Sequence, residues 1–182
     1  MIFSEEEEKY LLALARKSIE NKLLNKQTAP KFIYPKLKVN QSCFVTLQKE
    51  CGDLRGCIGN ILPFEELESN VIHNAVNAAF KDPRFVPLSS LSELKDLRID
   101  ISVLSIPKDI NSYREIKLGE DGIILIKDNS QAVFLPQVPI EQGWNLETTL
   151  TYLSNKAGLI STAWKDASCK FKVFNSTLIK EK

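Results

Sequence analysis

Apolar residues recur at helical spacing near the start of the chain. Leu11, Leu12, Leu14, Ala15, Ile19 and Leu23 fall on one broad stripe, which predicts a helix from about Ser4 to Lys26. Ser4 stands where an N-cap belongs, and Glu7 three residues later completes a capping box. Thr28 to Pro35 holds two prolines and reads as an extended connector. The pattern then changes to period two. Cys43 to Leu47 and Leu54 to Ile58 read as strands joined by a turn at Lys49–Asp53, a hairpin. Helical spacing returns from about Phe64 to Lys81, with Leu67, Val71, Ala75, Ala78 and Ala79 inward. Asn70, His73, Asn74 and Asn77 share a polar face of that helix, and Pro83 ends it. Leu97 to Leu104 alternates most clearly and predicts a half-buried strand. Ile123–Ile126 and Ala132–Leu135 flank Asp128-Asn129-Ser130 as a second hairpin. A third helix opens at an Asn145 cap, turns Leu146, Leu150, Leu153 and Ala157 inward, and stops at Gly158. Lys170 to Phe174 reads as the last strand. The strands come in hairpins and do not alternate strictly with helices, so the fold class is α+β with an antiparallel or mixed β-sheet.

Composition narrows the function classes. A chain of 182 residues makes one domain, or two small halves sharing a core. With 43% hydrophobic and 26% charged residues it suits a packed globular interior, not disorder or a coiled coil. The net charge of +1 gives no global steering toward nucleic acid or anionic lipid. The one asymmetry is local: residues 16, 17, 22, 26, 31, 36 and 38 are basic against the single acid Glu20. That stretch reads as a solvated face, with a phosphate-binding patch as the alternative. The longest apolar run, Tyr10 to Ala15, is too short to span a bilayer, and the early glutamates are unlike a signal peptide. The expected address is cytoplasmic or nuclear. Four cysteines without CxxC spacing then read as free thiols. A single histidine, His73, disfavours a zinc site or a Ser-His-Asp triad, and no GxSxG, P-loop or dinucleotide fingerprint occurs. No metal or cofactor is signalled.

Three segments could carry chemistry. Gly52, Gly56 and Gly59 crowd the run Cys-Gly-Asp-Leu-Arg-Gly-Cys-Ile-Gly-Asn at 51–60. Glycine weakens a strand interior unless something must approach the backbone. Regular alternation would place Arg55 and Cys57 on one face, about 7 Å apart at their α-carbons. A guanidinium beside a thiol favours thiolate, which makes Cys57 the candidate nucleophile; the plain alternative is a small cysteine in a tightly packed strand. In Lys81-Asp82-Pro83-Arg84-Phe85, Asp82 and Arg84 form either a loop-fixing ion pair or the polar wall of a ligand site. His73 reads first as a surface or helix-face residue, and as the only side chain with an ordinary pKa near neutrality it is the first candidate for proton transfer. In Phe134 to Pro139, two prolines bracket Gln137 and either hold its amide rigidly or simply stiffen a turn. Lys156 sits in the last turn of the third helix, where the dipole alone favours a lysine.

Leu-Arg-Gly-Cys-Ile-Gly at 54–59 resembles the signature of the AMMECR domain family. Phe44-Val45-Thr46-Leu47, Ala75, Ala78, Ala79, Asp82-Pro83-Arg84-Phe85, Ser102-Val103-Leu104, Gly119, Gly122, Leu135-Pro136-Gln137-Val138 and Lys156-Ala157-Gly158-Leu159 follow in the family's order. The resemblance covers about residues 5 to 175. It departs at Asn60-Ile61, where the family usually has Thr or Ser then an aromatic, and at Phe174-Asn175-Ser176, where an aromatic-x-Glu is common. The resemblance implies a single AMMECR-type domain with two lobes and a groove lined by the signature strand. It also implies kinship with systems containing a Memo-type protein and a radical SAM enzyme as partners.

Two functions follow as expectations. One is an enzyme or enzyme subunit doing thiolate-assisted group transfer around Leu54–Gly59. There Cys57 is the nucleophile and Arg55 the anion anchor; Gly56, Gly59, His73, Asp82, Arg84, Gln137 and Lys156 bind an unknown small-molecule ligand. The other is a non-catalytic scaffold for Memo-type or radical SAM partners, with Cys57 as packing. Nucleic-acid binding through residues 16–38 stands third.

Overall fold

The structure is a computed structural model that describes residues 3–181. Two α+β units emerge, residues 3–104 with 177–181, and 105–176. In the first, α1 spans Glu5–Leu23. Its capping box forms as the sequence predicts: Ser4 Oγ accepts from the Glu7 amide at 3.2 Å, and the Glu7 carboxylate accepts from the Ser4 amide at 2.8 Å. The helix stops short of Lys26 because Asn25 turns into the left-handed region, φ 56°. The strands β1 (Cys43–Lys49) and β2 (Leu54–Gly59) form the expected hairpin. Helix α2 covers Leu67–Phe80. It begins later than Phe64 because Glu66 bridges Asn40 in extended form. The short helix α3 (Leu91–Lys95), capped by Ser90, precedes β3 (Leu97–Leu104).

The second unit holds β4 (Lys108–Ile110), β5 (Gly122–Lys127), β6 (Ser130–Phe134), α4 (Gln137–Glu141), α5 (Leu146–Lys156) and β7 (Lys170–Phe174). Its sheet runs β4-β7-β5-β6, antiparallel throughout. Ile123, Leu125, Leu150, Leu153, Trp164 and Phe171 fill its core. The chain does not end its strands at Phe174: β8 (Ser176–Lys180) adds a fourth strand beside β3, giving the first unit the order β2-β1-β3-β8.

In the first unit, α1 and α2 pack on one sheet face. Val45, Leu47, Ile99, Ile101 and Ile179 join Leu11, Ile19, Leu67, Val71 and Ala75 in one core. The alternate residues of the same strands, Thr46, Asp100 and Ser102 among them, therefore lie on the other face. Among the described residues no helix is long and apolar enough to cross a membrane.

Candidate functional site

Close packing accounts for the signature glycines. A Cβ at Gly56 would stand 2.2 Å from the Ala78 carbonyl oxygen of α2, and one at Gly59 would stand 2.3 Å from the Phe44 ring. What approaches the backbone is the chain's own helix and an aromatic ring. Gly56 is buried in that contact and presents no surface of its own to a ligand.

Cys57 faces the other way. It is half-buried opposite Thr46, whose hydroxyl donates to Cys57 Sγ at 3.3 Å. Because β2 is an edge strand, the Cys57 backbone groups point outward from the sheet. The Cys57 amide donates to Asp82 Oδ2 at 2.9 Å, and its carbonyl accepts from Arg84 Nη2 at 3.2 Å. Asp82 and Arg84 are joined in turn, Nη2 to Oδ2 at 2.7 Å and Nε to Oδ1 at 2.9 Å. The pair thus clamps the open strand edge at the signature cysteine, where an exposed edge would otherwise invite another chain. Arg84 beside Asp82 holds that carboxyl well below the usual range, against the effect of its burial. With both oxygens taken, Asp82 has no acceptor left to orient a substrate. Arg84 keeps its side chain 55% exposed.

The expected pairing of Arg55 with Cys57 does not form. The β1–β2 register shifts between Leu47 and Gln48, leaving Arg55 without a partner on β1. A bulge re-aims the side chain it carries. The Arg55 guanidinium goes to Glu93, Nε to Oε1 at 2.8 Å, and to the Val86 carbonyl at 2.8 Å. The cation held against Cys57 is Arg84.

His73 is exposed on α2, its Nδ1 2.8 Å from Glu65 Oε2. It borders a cleft of about 440 Å³ with Phe64, Asn77 and Lys81, away from the sheet face that carries Cys57. Its supposed companions on a polar face, Asn70 and Asn74, are buried. They satisfy the backbone where β1 begins: Asn70 Oδ1 accepts from the Cys43 amide at 2.8 Å, and Asn74 donates to the Cys43 carbonyl at 3.1 Å. Both donate to Asn60 Oδ1, at 2.7 and 2.9 Å. The residue that departs from the family pattern is thus the acceptor of an amide network. Burial pushes the Cys43 thiol up to about 12.

Gln137 and Lys156 belong to the second unit. Gln137 opens α4 instead of sitting in a turn. Lys156 donates to the Val133 carbonyl at 2.9 Å and lies 4.9 Å from the Phe134 ring centre. In the basic segment, Arg16 is held by Glu181, Lys17 by Glu20 and Lys36 by Glu7. Among the described residues no three His, Cys, Asp or Glu side chains gather so as to hold a metal ion.

Sequence reasoning passed over Thr46 and Asp100. Both were visible as polar positions on alternating strands, and the cross-strand register brings them into one row with Cys57.

Comparison with known proteins places the chain. The AMMECR1 family model matches residues 12–179. A protein of Methanopyrus kandleri is 36% identical over 184 residues, covering 97% of this chain and 89% of its own. One of Thermococcus onnurineus is 39% identical over 183 residues, covering 94% and 89%. The crystal structure of an uncharacterized protein from Pyrococcus horikoshii matches with a TM-score of 0.89 and 36% identity, over 97% of this chain and 92% of that one. A match of that extent in sequence and in fold means that this chain belongs to the AMMECR1 family.

Proposed function

We propose that the chain carries out thiol-dependent group transfer at Cys57. The observation that carries this reading is the hydroxyl of Thr46 donating to Cys57 Sγ while Asp82 and Arg84 grip the same residue's backbone. The hydroxyl donor points at the sulfur, and a guanidinium is held against the same residue. In the step, the thiol proton passes to solvent and Sγ bonds to the electrophilic carbon of a donor. The donor's leaving group departs with its electron pair. A second nucleophile then takes the group and releases the sulfur. Thr46 orients and stabilises the sulfur, Arg84 supplies positive charge, and Asp82 positions Arg84. Arg55 acts through the scaffold, tying β2 to α3.

Acetylation by p-nitrophenyl acetate, mapped by peptide mass spectrometry, tests the reading. Acetyl on Cys57 in the wild type and a slower reaction in Thr46→Val are the expected outcome. A modification confined to the other cysteines, or a rate indifferent to Thr46, overturns it.

A second reading rests on a different observation. Leu62 and Phe64, 65% and 68% exposed, follow the signature directly. Two outward apolar side chains on a segment anchored by Asn60 suit docking to a protein partner of the Memo or radical SAM type. Pull-down of such a partner that survives Cys57→Ala and fails with Phe64→Asp favours scaffolding over catalysis.

A further inference from the structure

On the outer sheet face, Asp100 keeps one carboxylate oxygen that no group of the fold satisfies. Asp100 on β3 lies directly opposite Thr46, and Thr46 lies directly opposite Cys57. Directly opposed residues share a face, so thiol, hydroxyl and carboxyl form a single cross-strand row. Asp100 is only 7% exposed. Its Oδ1 is buried without any hydrogen-bond partner. Native proteins leave very few buried polar atoms unsatisfied, and those few call for an explanation. Burial raises the Asp100 pKa from its ordinary value, while the Arg98 and Lys180 charges and a hydrogen bond from the Glu181 backbone oppose that shift. Neither cation forms an ion pair with it; Arg98 donates instead to Gln48 Oε1 at 3.0 Å.

We propose that Asp100 is a binding residue of the Cys57 site, its free Oδ1 accepting a hydrogen bond from an amino or hydroxyl group of the substrate. The inference rests on the thiol reading above and names the substrate class: a small electrophile bearing a hydrogen-bond donor. The row sets the spacing. Two strand intervals separate Cys57 from Asp100, about 10 Å between α-carbons. A hydrogen bond takes up about 3 Å at one end and an attack distance of about 3 Å at the other. Roughly 4 Å remains, the span of about three bonds between the electrophilic carbon and the donor atom. Thr46 lies between them in the row, its hydroxyl engaged with the sulfur.

The test compares two alkylating reagents of equal length, 3-bromopropylamine and 1-bromobutane. In each, sulfur displaces bromide, an S–C bond forms as the C–Br bond breaks, and the thiol proton goes to solvent. Rates at Cys57 are read by peptide mass spectrometry, with the exposed Cys51 as the reference thiol in the same chain. The amine reagent should be preferred at Cys57 over Cys51 by roughly tenfold, the worth of one charge-assisted hydrogen bond. That preference should vanish in Asp100→Leu. Thermal unfolding of the same variant supplies the second reading. An orphaned buried carboxyl replaced by an apolar side chain should leave the melting temperature equal or higher. Cys57 alkylated without any preference for the amine overturns the Asp100 proposal and leaves the thiol reading standing. Cys57 unreactive to both reagents overturns the thiol reading and this proposal with it. A large loss of melting temperature in Asp100→Leu shows a structural carboxyl and also overturns the proposal.

Discussion

Replacing Asp82 by asparagine keeps the shape of the side chain and removes its charge. In the folded chain Oδ2 accepts from the Cys57 amide and from Arg84 Nη2, at 2.9 and 2.7 Å, while Oδ1 accepts from the Arg84 amide and Nε, at 3.1 and 2.9 Å. Asparagine has one oxygen for these four donors. Whichever way its amide turns, an NH₂ group faces two N–H donors. If it faces Cys57, that amide loses its partner at a cost of about 1–3 kcal/mol. The bonds to Arg84 contribute less than their geometry suggests, because the guanidinium is largely exposed and water takes it over. A total near 2–3 kcal/mol corresponds to roughly 5–10 °C in melting temperature for a chain of this size. The sign with pH follows from the depressed carboxyl. The stabilisation is complete above the ordinary aspartate range and is lost as pH falls below about 4, so wild type and variant should converge in acid. Circular dichroism gives the melting temperatures, and hydrogen exchange at the Cys57 amide reports the clamp itself. Unchanged melting together with unchanged exchange at Cys57 would refute the idea that Asp82 holds the strand edge.

Gly56→Ala forces a Cβ against the Ala78 carbonyl, which belongs to helix backbone and cannot swing aside. It should cost about 1–3 kcal/mol in a urea titration, and a stability equal to wild type would contradict the close β2–α2 approach. Glu68 is buried and its Oε2 accepts from the Tyr10 hydroxyl at 3.0 Å and from the Lys31 and Phe32 amides at 3.0 and 2.8 Å. Burial first and Glu68 second push the Tyr10 hydroxyl up to about 12, so Glu68→Gln should lower its tyrosinate titration, read by ultraviolet absorbance, and a fixed titration argues against the contact. Asn74→Ala strands the Cys43 carbonyl and removes a donor to Asn60. It should destabilise by about 1–3 kcal/mol, whereas a solvent-face asparagine would shift thermal unfolding by less than about 0.5 kcal/mol.

Periodicity carried most of the fold. The α1 capping box, the two hairpins and the bounds of Leu97–Leu104 were legible because each depends on neighbours in sequence; the strand is not half-buried as its alternation suggested, since all of it but Arg98 is buried, Asp100 and Ser102 included. β8 was not, since Ser176–Lys180 is short and becomes a strand only by pairing with β3. The site was partly legible for the same reason. Cys57 stood out as the reactive side chain in a glycine-crowded strand, but its neighbours depend on register. A single shift in pairing sends Arg55 to Glu93 and leaves Arg84, distant in sequence, against Cys57. Spacing on α2 put four polar residues on one side, but that side is not a solvent face, since Asn70 and Asn74 lie buried under the start of β1. Conversely, the glycines pointed to a close approach, and only tertiary packing reveals that the approaching group is α2.

The most direct test of the central claim is competition between two thiols of one chain for limiting iodoacetamide at neutral pH. Cys51 is exposed and Cys57 is half-buried, so access alone favours Cys51. If Thr46 and Arg84 activate the Cys57 sulfur, Cys57 is labelled first despite its burial, and Thr46→Val reverses the order. Labelling that simply follows exposure, Cys51 ahead of Cys57 in wild type and variant alike, contradicts the account.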